Sequence, residues 1–231
     1  MKAEYISHMG SDLTVVNAAR VSFDNESAYE NEDWPHEDFE EPNYLGKADV
    51  KLIKYLAKHG HWTPFSHPQV TMRYTVPIFI ARQEFKHIVG FTRNEVSRRY
   101  VDDTPEFYTP DTWRSRPEGS VKQGSGGASE ESESVAIWYD KVLCEAYDTY
   151  VMMIDLGIAP EQARMVLPQS MYTSYYITGS LAAFARMVSQ RSDAHAQVEI
   201  QELAALVDAV IRPLYPVSWE ALVNEQNQKE A

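Results

Sequence analysis

The sequence contains very little cysteine and no long apolar run. Cys144 is the only cysteine among 231 residues, so the chain cannot form an internal disulfide. No window approaches the roughly 18 consecutive apolar residues that a membrane span needs. The N-terminus also lacks the charged, then apolar, then small-residue layout of a secretory signal. We therefore expect a soluble globular protein of the reducing cytoplasm, without a membrane partner.

Three common chemical signatures are absent as well. Cys144 follows Leu143 inside a predicted helix, with no neighbouring His or Arg to activate it, so we expect a packed, inert thiol. The glycine cluster at 124–127 lacks the strand and the third glycine of a dinucleotide-binding fingerprint. His59 and His61 have no Cys or carboxylate at metal-ligand spacing, which disfavours a metal site.

The negative charge is concentrated in one place. The net charge is −13, and nine acidic residues fall in the segment 24–46, which contains no Lys or Arg. Together with Pro35 and Pro42, this composition predicts a solvated loop or insertion. An acidic chain repels phosphate backbones, so we expect no nucleic acid partner.

Hydrophobic periodicity predicts a mixture of helices and strands. Alternation predicts a strand over 69–76, followed by a short helix after Pro77, and helical spacing predicts a helix from Asp49 to Gly60. The widest apolar stripe runs from Val135 to Leu156, and we expect that helix to lie in the core.

The C-terminal half continues in the same mixed order. A short helix between Pro160 and Pro168 precedes a predicted strand at 171–178. Ser180 and Asp193 are the predicted N-caps of two further helices, the second of which stops at Pro213. Because these elements do not repeat as βαβ units, the sequence indicates the α+β class. We expect one domain over 1–231, with a long loop at 102–129.

One basic region stands out from the acidic background. Five cations and two acids lie between Arg82 and Arg99. On a helix, Gln83 and His87 share one face, which gives a polar edge that can grip a small anion. A solvated basic face or an RNA contact would also explain such a patch. The run 94–100, Asn-Glu-Val-Ser-Arg-Arg-Tyr, favours a nucleotide pocket, because it combines groups that hydrogen-bond a base, a sugar and a phosphate.

Five blocks together resemble the flavin-dependent thymidylate synthases, also called thymidylate synthase complementing proteins. The resemblance runs from about Met9 to Glu220. The blocks, in the order of that family, are 19–23 (Ala-Arg-Val-Ser-Phe), 58–65 (Lys-His-Gly-His-Trp-Thr-Pro-Phe), 77–83, 94–100, and 163–168 through 191–197.

The resemblance implies reductive methylation of dUMP to dTMP. Methylenetetrahydrofolate supplies the carbon and NADPH reduces a bound FAD, without a cysteine nucleophile. It also implies a homotetramer whose active sites are shared between subunits. Arg191 would be catalytic, because a guanidinium that hydrogen-bonds the uracil ring stabilises negative charge there and makes C5 more nucleophilic.

Carried over by position, the same resemblance implies two sets of binding residues. Those for dUMP are Gln83, Lys86, Glu95, Ser97, Arg98, Arg99, Arg164 and Arg191. Those for FAD are Ser22, His61, Thr63, Lys86, His87, Ile88, Asn94, Glu95, Ser180, Arg186 and His195.

The chain departs from the family pattern mainly on the flavin side. The usual Arg-His-Arg reads Lys86-His87-Ile88, with one extra residue before Ser97. Ser180 replaces the usual asparagine, and positions 182 and 186 also differ. Lysine cannot form the bidentate hydrogen bonds of arginine, so phosphate or flavin must be recognised differently at this position. Two alternatives stay open: a pyrimidine nucleotide hydroxymethylase, and a nucleotide-binding protein without turnover.

Overall fold

The computed structural model describes residues 1–30, 44–100, 103–117, 119 and 124–229. Its centre is a four-stranded antiparallel sheet in the order β1-β2-β4-β3. The strands are β1 (Lys2–Met9), β2 (Gln69–Pro77), β3 (Phe91–Glu95) and β4 (Tyr172–Ser180). The α+β class is therefore confirmed.

The two faces of the sheet differ because polar and apolar residues alternate along its central strands. Val70, Met72, Tyr74 and Val76 of β2 are completely buried on the inner face. The opposite face is polar, and the hydroxyl groups of Thr71 and Thr178 lie 2.9 Å apart across the strand pair. This open face forms the floor of the candidate active site.

Eight helices are present among the described residues. They are α1 (Asp12–Arg20), α2 (Lys47–Lys58), α3 (Ile78–Glu84), α4 (Ser132–Asp155), α5 (Pro160–Ala163), α6 (Leu181–Arg191), α7 (Val198–Ile211) and α8 (Pro216–Lys229). Short 3₁₀ turns occupy Val21–Phe23, Pro64–Ser66 and Arg164–Val166.

Helix α6 is the central element of the core. Seven of its residues are buried, and the helix contacts α7, α8 and the end of β4. Ser180 caps it as predicted: the Ser180 hydroxyl oxygen accepts a hydrogen bond from the Ala183 amide at 3.3 Å. The predicted strand at 69–76 and the helix ending before Gly60 are confirmed too.

The expectation that the helix beginning near Val135 is core is wrong. Helix α4 forms where the spacing predicts it, but only Leu143 and Tyr150 are buried. Large apolar side chains elsewhere on it are exposed, including Trp138 at 65% and Leu156 at 73%. Cys144 is also exposed, not packed. Amphipathic spacing identifies an apolar face but does not identify what covers it.

Asp193 does not cap the last long helix as predicted. Helix α7 begins at Val198 with Gln197 as its N-cap, and the Asp193 carboxylate instead accepts a hydrogen bond from the His195 amide at 2.7 Å. Sequence reasoning also missed β1, α1, β3 and α8. Most of the acidic segment 24–46 lies outside the described residues, apart from a bridge between Glu30 and Tyr44.

None of the described helices is both long enough and apolar enough to cross a lipid bilayer.

Asp12 joins the two ends of the chain. Its carboxylate oxygens accept hydrogen bonds from the amides of Val217 and Ser218, each at 2.9 Å, at the first turn of α8. Helix N-termini leave such amides without partners inside the helix, and Asp12 is 5% exposed, so water does not readily replace it.

We predict that Asp12→Ala lowers the free energy of unfolding by about 1–2 kcal/mol, the usual cost of losing an N-terminal cap. Asp12→Asn keeps one acceptor oxygen and should lose less. Urea unfolding of the three proteins measures the difference. Equal midpoints for wild type and Asp12→Ala would contradict this role.

Candidate active site

A cleft of about 1060 Å³ opens on the polar face of the sheet. Its floor is formed by side chains of the two central strands, Arg73, Thr75, Ser174 and Tyr176. The 94–98 segment and one side of α3 form its walls, and Arg164 lies at its edge. The alternation that buries the inner face of the sheet therefore also provides the floor of the cleft.

Four arginines line this cleft. Arg98 is paired with Asp103, at 2.8 Å between Nη1 and Oδ1. Arg73 donates through Nε to the Ser174 hydroxyl at 2.9 Å, and Arg164 donates through Nε to the Glu161 carbonyl at 3.3 Å. Among the described residues, Arg73, Arg82 and Arg164 have no carboxylate partner within salt-bridge distance. Their charges are available to an anion.

The 94–100 segment contributes only its first part to the cleft. Glu95 ends β3, and its carboxylate accepts a hydrogen bond from the Thr173 hydroxyl at 2.7 Å. The Ser97 hydroxyl accepts from the Arg99 amide at 3.3 Å, which turns the chain. Arg99 then points elsewhere and pairs with Glu161 at 3.2 Å. Asn94, Glu95, Ser97 and Arg98 line the cleft, and Arg99 and Tyr100 do not.

A second cluster surrounds Arg191 at the end of α6. The Arg191 guanidinium donates through Nε to His87 Nε2 at 2.9 Å and through Nη2 to the Gln83 carbonyl at 3.1 Å. The Gln83 side chain donates to Gln197 at 2.7 Å. Gln83 and Arg191 are not among the residues that line the cleft, whereas Arg82 and Phe85 of the same α3 region are. Of the predicted dUMP residues, Glu95, Ser97, Arg98 and Arg164 thus line the cleft, Gln83 and Arg191 form the second group, and Lys86 and Arg99 belong to neither.

His87 is neutral in this cluster. The side chain is 7% exposed, and burial lowers its pKa to about 4, with the positive charges of Arg191, Arg186 and Arg93 acting in the same direction. Because Arg191 donates to Nε2, the proton of the neutral ring is on Nδ1. Arg191 keeps its charge, since a guanidinium does not lose its proton in proteins.

Five of the eleven predicted flavin residues lie in or against the turn 86–90, which rests on the start of α6. Arg186 donates to the Val89 carbonyl at 2.7 Å, and Ser180 donates through its amide to the Gly90 carbonyl at 3.1 Å. Gly90 has φ +83°, and a Cβ there would meet the Ala183 Cβ at 2.8 Å, so the turn requires glycine. Lys86 is exposed, and Ile88 beside it is 73% exposed.

Of the other six, Asn94 and Glu95 line the cleft, and four lie on other surface segments. His61 and Thr63 precede the Pro64–Ser66 turn, which packs against α1 and α6. Ser22 is exposed in the turn that follows α1, and His195 contacts Asp193 at 3.0 Å. The Ser180 hydroxyl is used as the cap of α6. One chain therefore does not bring the predicted flavin residues into one cavity.

Arg73 is a candidate binding residue that sequence reasoning missed. The alternation at 69–76 already indicated that Arg73 and Thr75 share the polar face of β2. What the sequence did not show is that β4 extends this face with Ser174 and Tyr176, and that the result is the floor of a cleft and not a fully solvated surface.

Comparison with known proteins gives consistent results. The model of the family described as thymidylate synthase complementing protein matches residues 4–217. The chain is 34% identical to the flavin-dependent thymidylate synthase of Thermotoga neapolitana, over 95% of this chain and 89% of that one. It is 33% identical to the enzyme of the same name from Thermus thermophilus, over 94% and 73%.

A solved structure is similar as well. A UMP/dUMP methylase from Streptomyces cacaoi, bound with 5-Br dUMP, superimposes with a TM-score of 0.80 at 30% identity, covering 96% of this chain and 94% of that one. The same methylase bound with 5-Br UMP gives a TM-score of 0.82 at 28% identity, covering 98% and 95%.

The neutral state of His87 predicts a pH dependence of stability. The unfolded chain protonates this ring near its ordinary pKa of about 6.5, whereas the folded chain resists protonation down to about pH 4. The unfolded state therefore gains a proton as the pH falls through this window, and the fold loses up to about 1.4 kcal/mol per pH unit.

His87→Gln, which cannot titrate, should lack this component. Chemical denaturation of both proteins across the window measures it. If the two proteins lose stability in parallel as the pH falls, the ring is not held neutral.

Proposed function

The chain belongs to the thymidylate synthase complementing protein family, and on that basis we propose that it is a flavin-dependent thymidylate synthase that methylates dUMP. The observation that carries this proposal is the pairing of a cation-rich cleft with a separate arginine, Arg191, which is held by a neutral imidazole. The first suits the nucleotide phosphate and the second suits a pyrimidine ring.

The cleft supplies groups for every part of dUMP. The guanidinium groups of Arg73, Arg82 and Arg164, which have no carboxylate partner among the described residues, suit a phosphate dianion, whereas Arg98 is already paired with Asp103. Glu95 and Ser97 offer a carboxylate and a hydroxyl for hydrogen bonds to the sugar and the base. Glu95 is already oriented by Thr173, so less conformational entropy is lost when it binds a ligand.

Arg191 supplies the electrostatic part of the reaction. Its charge can stabilise the negative charge that develops on the uracil ring, which makes C5 nucleophilic without a covalent enzyme adduct. The bonds to His87 and to the Gln83 carbonyl fix the guanidinium before substrate arrives. A neutral His87 is important here, because an imidazolium would repel Arg191 and could not accept its hydrogen bond.

The residues around the 86–90 turn fit FAD. The exposed cation Lys86 and the half-buried Arg186 suit a pyrophosphate, and the exposed apolar side chains of Ile88 and Val89 suit a planar ring. Bound there, the flavin supplies the hydride that completes the methyl group. Methylenetetrahydrofolate as the carbon donor and NADPH as the reductant complete the reaction that we propose. The hydroxymethyl and non-catalytic alternatives are not favoured by the relatives, which bear synthase and methylase names.

UMP is the competing substrate, since the Streptomyces cacaoi relative is described as a methylase of both UMP and dUMP. The two nucleotides differ by one ribose hydroxyl. Competition of UMP against dUMP in one assay decides which nucleotide the cleft prefers.

We also propose that the active sites are shared within a homotetramer. Arg191 does not line the cleft of its own chain, so we infer that a second copy brings the two groups together. Helix α4 supplies a surface for that association. Trp138, Val142, Met152 and Leu156 lie along one line of the helix, about 27 Å long, and each is at least half exposed.

Arg191→Ala tests the proposed chemistry. We expect turnover of dUMP to fall by at least about a hundredfold, the usual cost of removing one preorganised group that stabilises developing charge. FAD content, measured from visible absorbance, should stay near that of the wild type. Near-normal turnover would remove Arg191 from the mechanism.

Cys144→Ser is the matched control, because Cys144 is an exposed thiol on α4 that does not line the cleft. Its turnover should equal that of the wild type. A folded but inactive Cys144→Ser protein would point to a covalent route through the thiol.

Val142→Glu tests the association surface. A charge one turn from Trp138, near one end of the exposed apolar line, should weaken the contact between copies, because burying an unpaired charge costs several kcal/mol. Light scattering after size exclusion should give a mass near four chains for the wild type and a smaller mass for the variant. Asp140→Arg, off the line but on the same helix, should keep the full mass. A monomeric wild type would contradict the shared site.

A further inference from the structure

An ion pair between the fully buried Glu84 and the largely buried Arg93 lies next to the Arg191 cluster. Glu84 has no exposed surface, and both of its carboxylate oxygens accept hydrogen bonds from Arg93 of β3: Oε1 from Nη2 at 2.6 Å and Oε2 from Nε at 2.9 Å. The Tyr175 hydroxyl donates to Oε2 at 3.1 Å. This is the two-pronged geometry that distinguishes arginine from lysine.

Arg93 continues this network to His87. Its Nη2 donates to the His87 carbonyl at 2.6 Å, while the guanidinium lies 5.4 Å from the centre of the Phe85 ring and 4.9 Å from that of Phe91. The His87 ring in turn accepts from Arg191. One unbroken series of contacts therefore runs from Glu84 through Arg93 and His87 to Arg191.

The stability of the fold does not by itself account for such a pair. Removing two charges from water costs several kcal/mol per ion, and apolar residues of similar volume often stabilise a core as well or better. The third contact of Arg93, with the His87 carbonyl, is more informative. Helix α3 ends at Glu84, so the carbonyl of His87 lies in a turn without a helical partner, and Arg93 supplies one.

We propose that Glu84 and Arg93 are positioning residues that hold the backbone of His87 so that its ring orients the Arg191 guanidinium. This inference rests on the proposed catalytic role of Arg191. Glu84 fixes the guanidinium plane of Arg93, Arg93 fixes the His87 carbonyl, and the ring follows because His87 is buried against α6. Neither residue touches substrate itself.

Arg93→Lys is the first test, since lysine keeps the charge but cannot bond both Glu84 oxygens and the His87 carbonyl together. We expect kcat to fall about tenfold, because small displacements of a catalytic group are costly, with little change in the KM for dUMP. Arg212→Met, which removes a two-bond pair with Asp208 on α7, is the control and should leave kcat unchanged.

The same change in an Arg191→Lys background separates this inference from the proposed function. If Arg93 acts through Arg191, Arg93→Lys should lower kcat by less than about twofold in the Arg191→Lys background, since the effects of coupled residues are not additive. Equal losses in both backgrounds would overturn the positioning role while leaving Arg191 catalytic. Full activity of Arg191→Lys and Arg191→Ala would instead overturn the proposed function.

A second variant guards against failure to fold. Glu84→Leu combined with Arg93→Leu removes both charges together, which buried pairs tolerate far better than the loss of one. In ¹⁵N-histidine NMR spectra of this variant, the His87 Nε2 signal should move towards that of a ring nitrogen that accepts no hydrogen bond, because the ring no longer meets the Arg191 guanidinium. If Nε2 gives the same signal in the wild type and the double variant, the ion pair does not hold the ring.

Discussion

The hydrogen bond from Arg191 to a buried, neutral His87 is the contact on which the rest of the site depends. It joins the turn after α3 to the end of α6, the most buried helix of the fold. Three nearby guanidinium groups and the lack of solvent keep the ring unprotonated, and only an unprotonated ring can accept this bond. Burial and the nearby positive charges thus both keep His87 Nε2 free of a proton, so that it can accept the hydrogen bond from Arg191.

The sheet contributes the other half of the site. Alternating residues of β2 and β4 bury Tyr74 and Tyr175 on one face and present Arg73 and Tyr176 on the other. Gln83 and Arg191 do not line the cleft on this open face, and we propose that a second copy completes the site. Helix α4 supports the proposed tetramer as well, because no described residue covers the apolar line on this helix.

Local signals in the sequence were sufficient for several elements. Ser180 as a cap and the period-two pattern of β2 are properties of a few neighbouring residues, and both are confirmed. Contacts between residues that are distant in sequence could not be predicted from such local signals. The apolar stripe correctly predicted that α4 is a helix. The prediction that this helix lies in the core was wrong, because periodicity does not specify what a face packs against. The same limit hid Glu84 and Arg93, which are nine residues apart and meet across the turn between α3 and β3. The family resemblance named the candidate residues, whereas their division into two groups came only from the fold.

Product analysis tests the central claim most directly. The protein loaded with FAD is supplied with dUMP tritiated at C5, methylenetetrahydrofolate and NADPH, and both tritium release and the mass of the nucleotide product are measured. The account predicts tritium in water, released in proportion to NADPH oxidised, and a product with the mass of dTMP. A product with the mass of hydroxymethyl-dUMP, or tight binding of dUMP and flavin without any product, would contradict it.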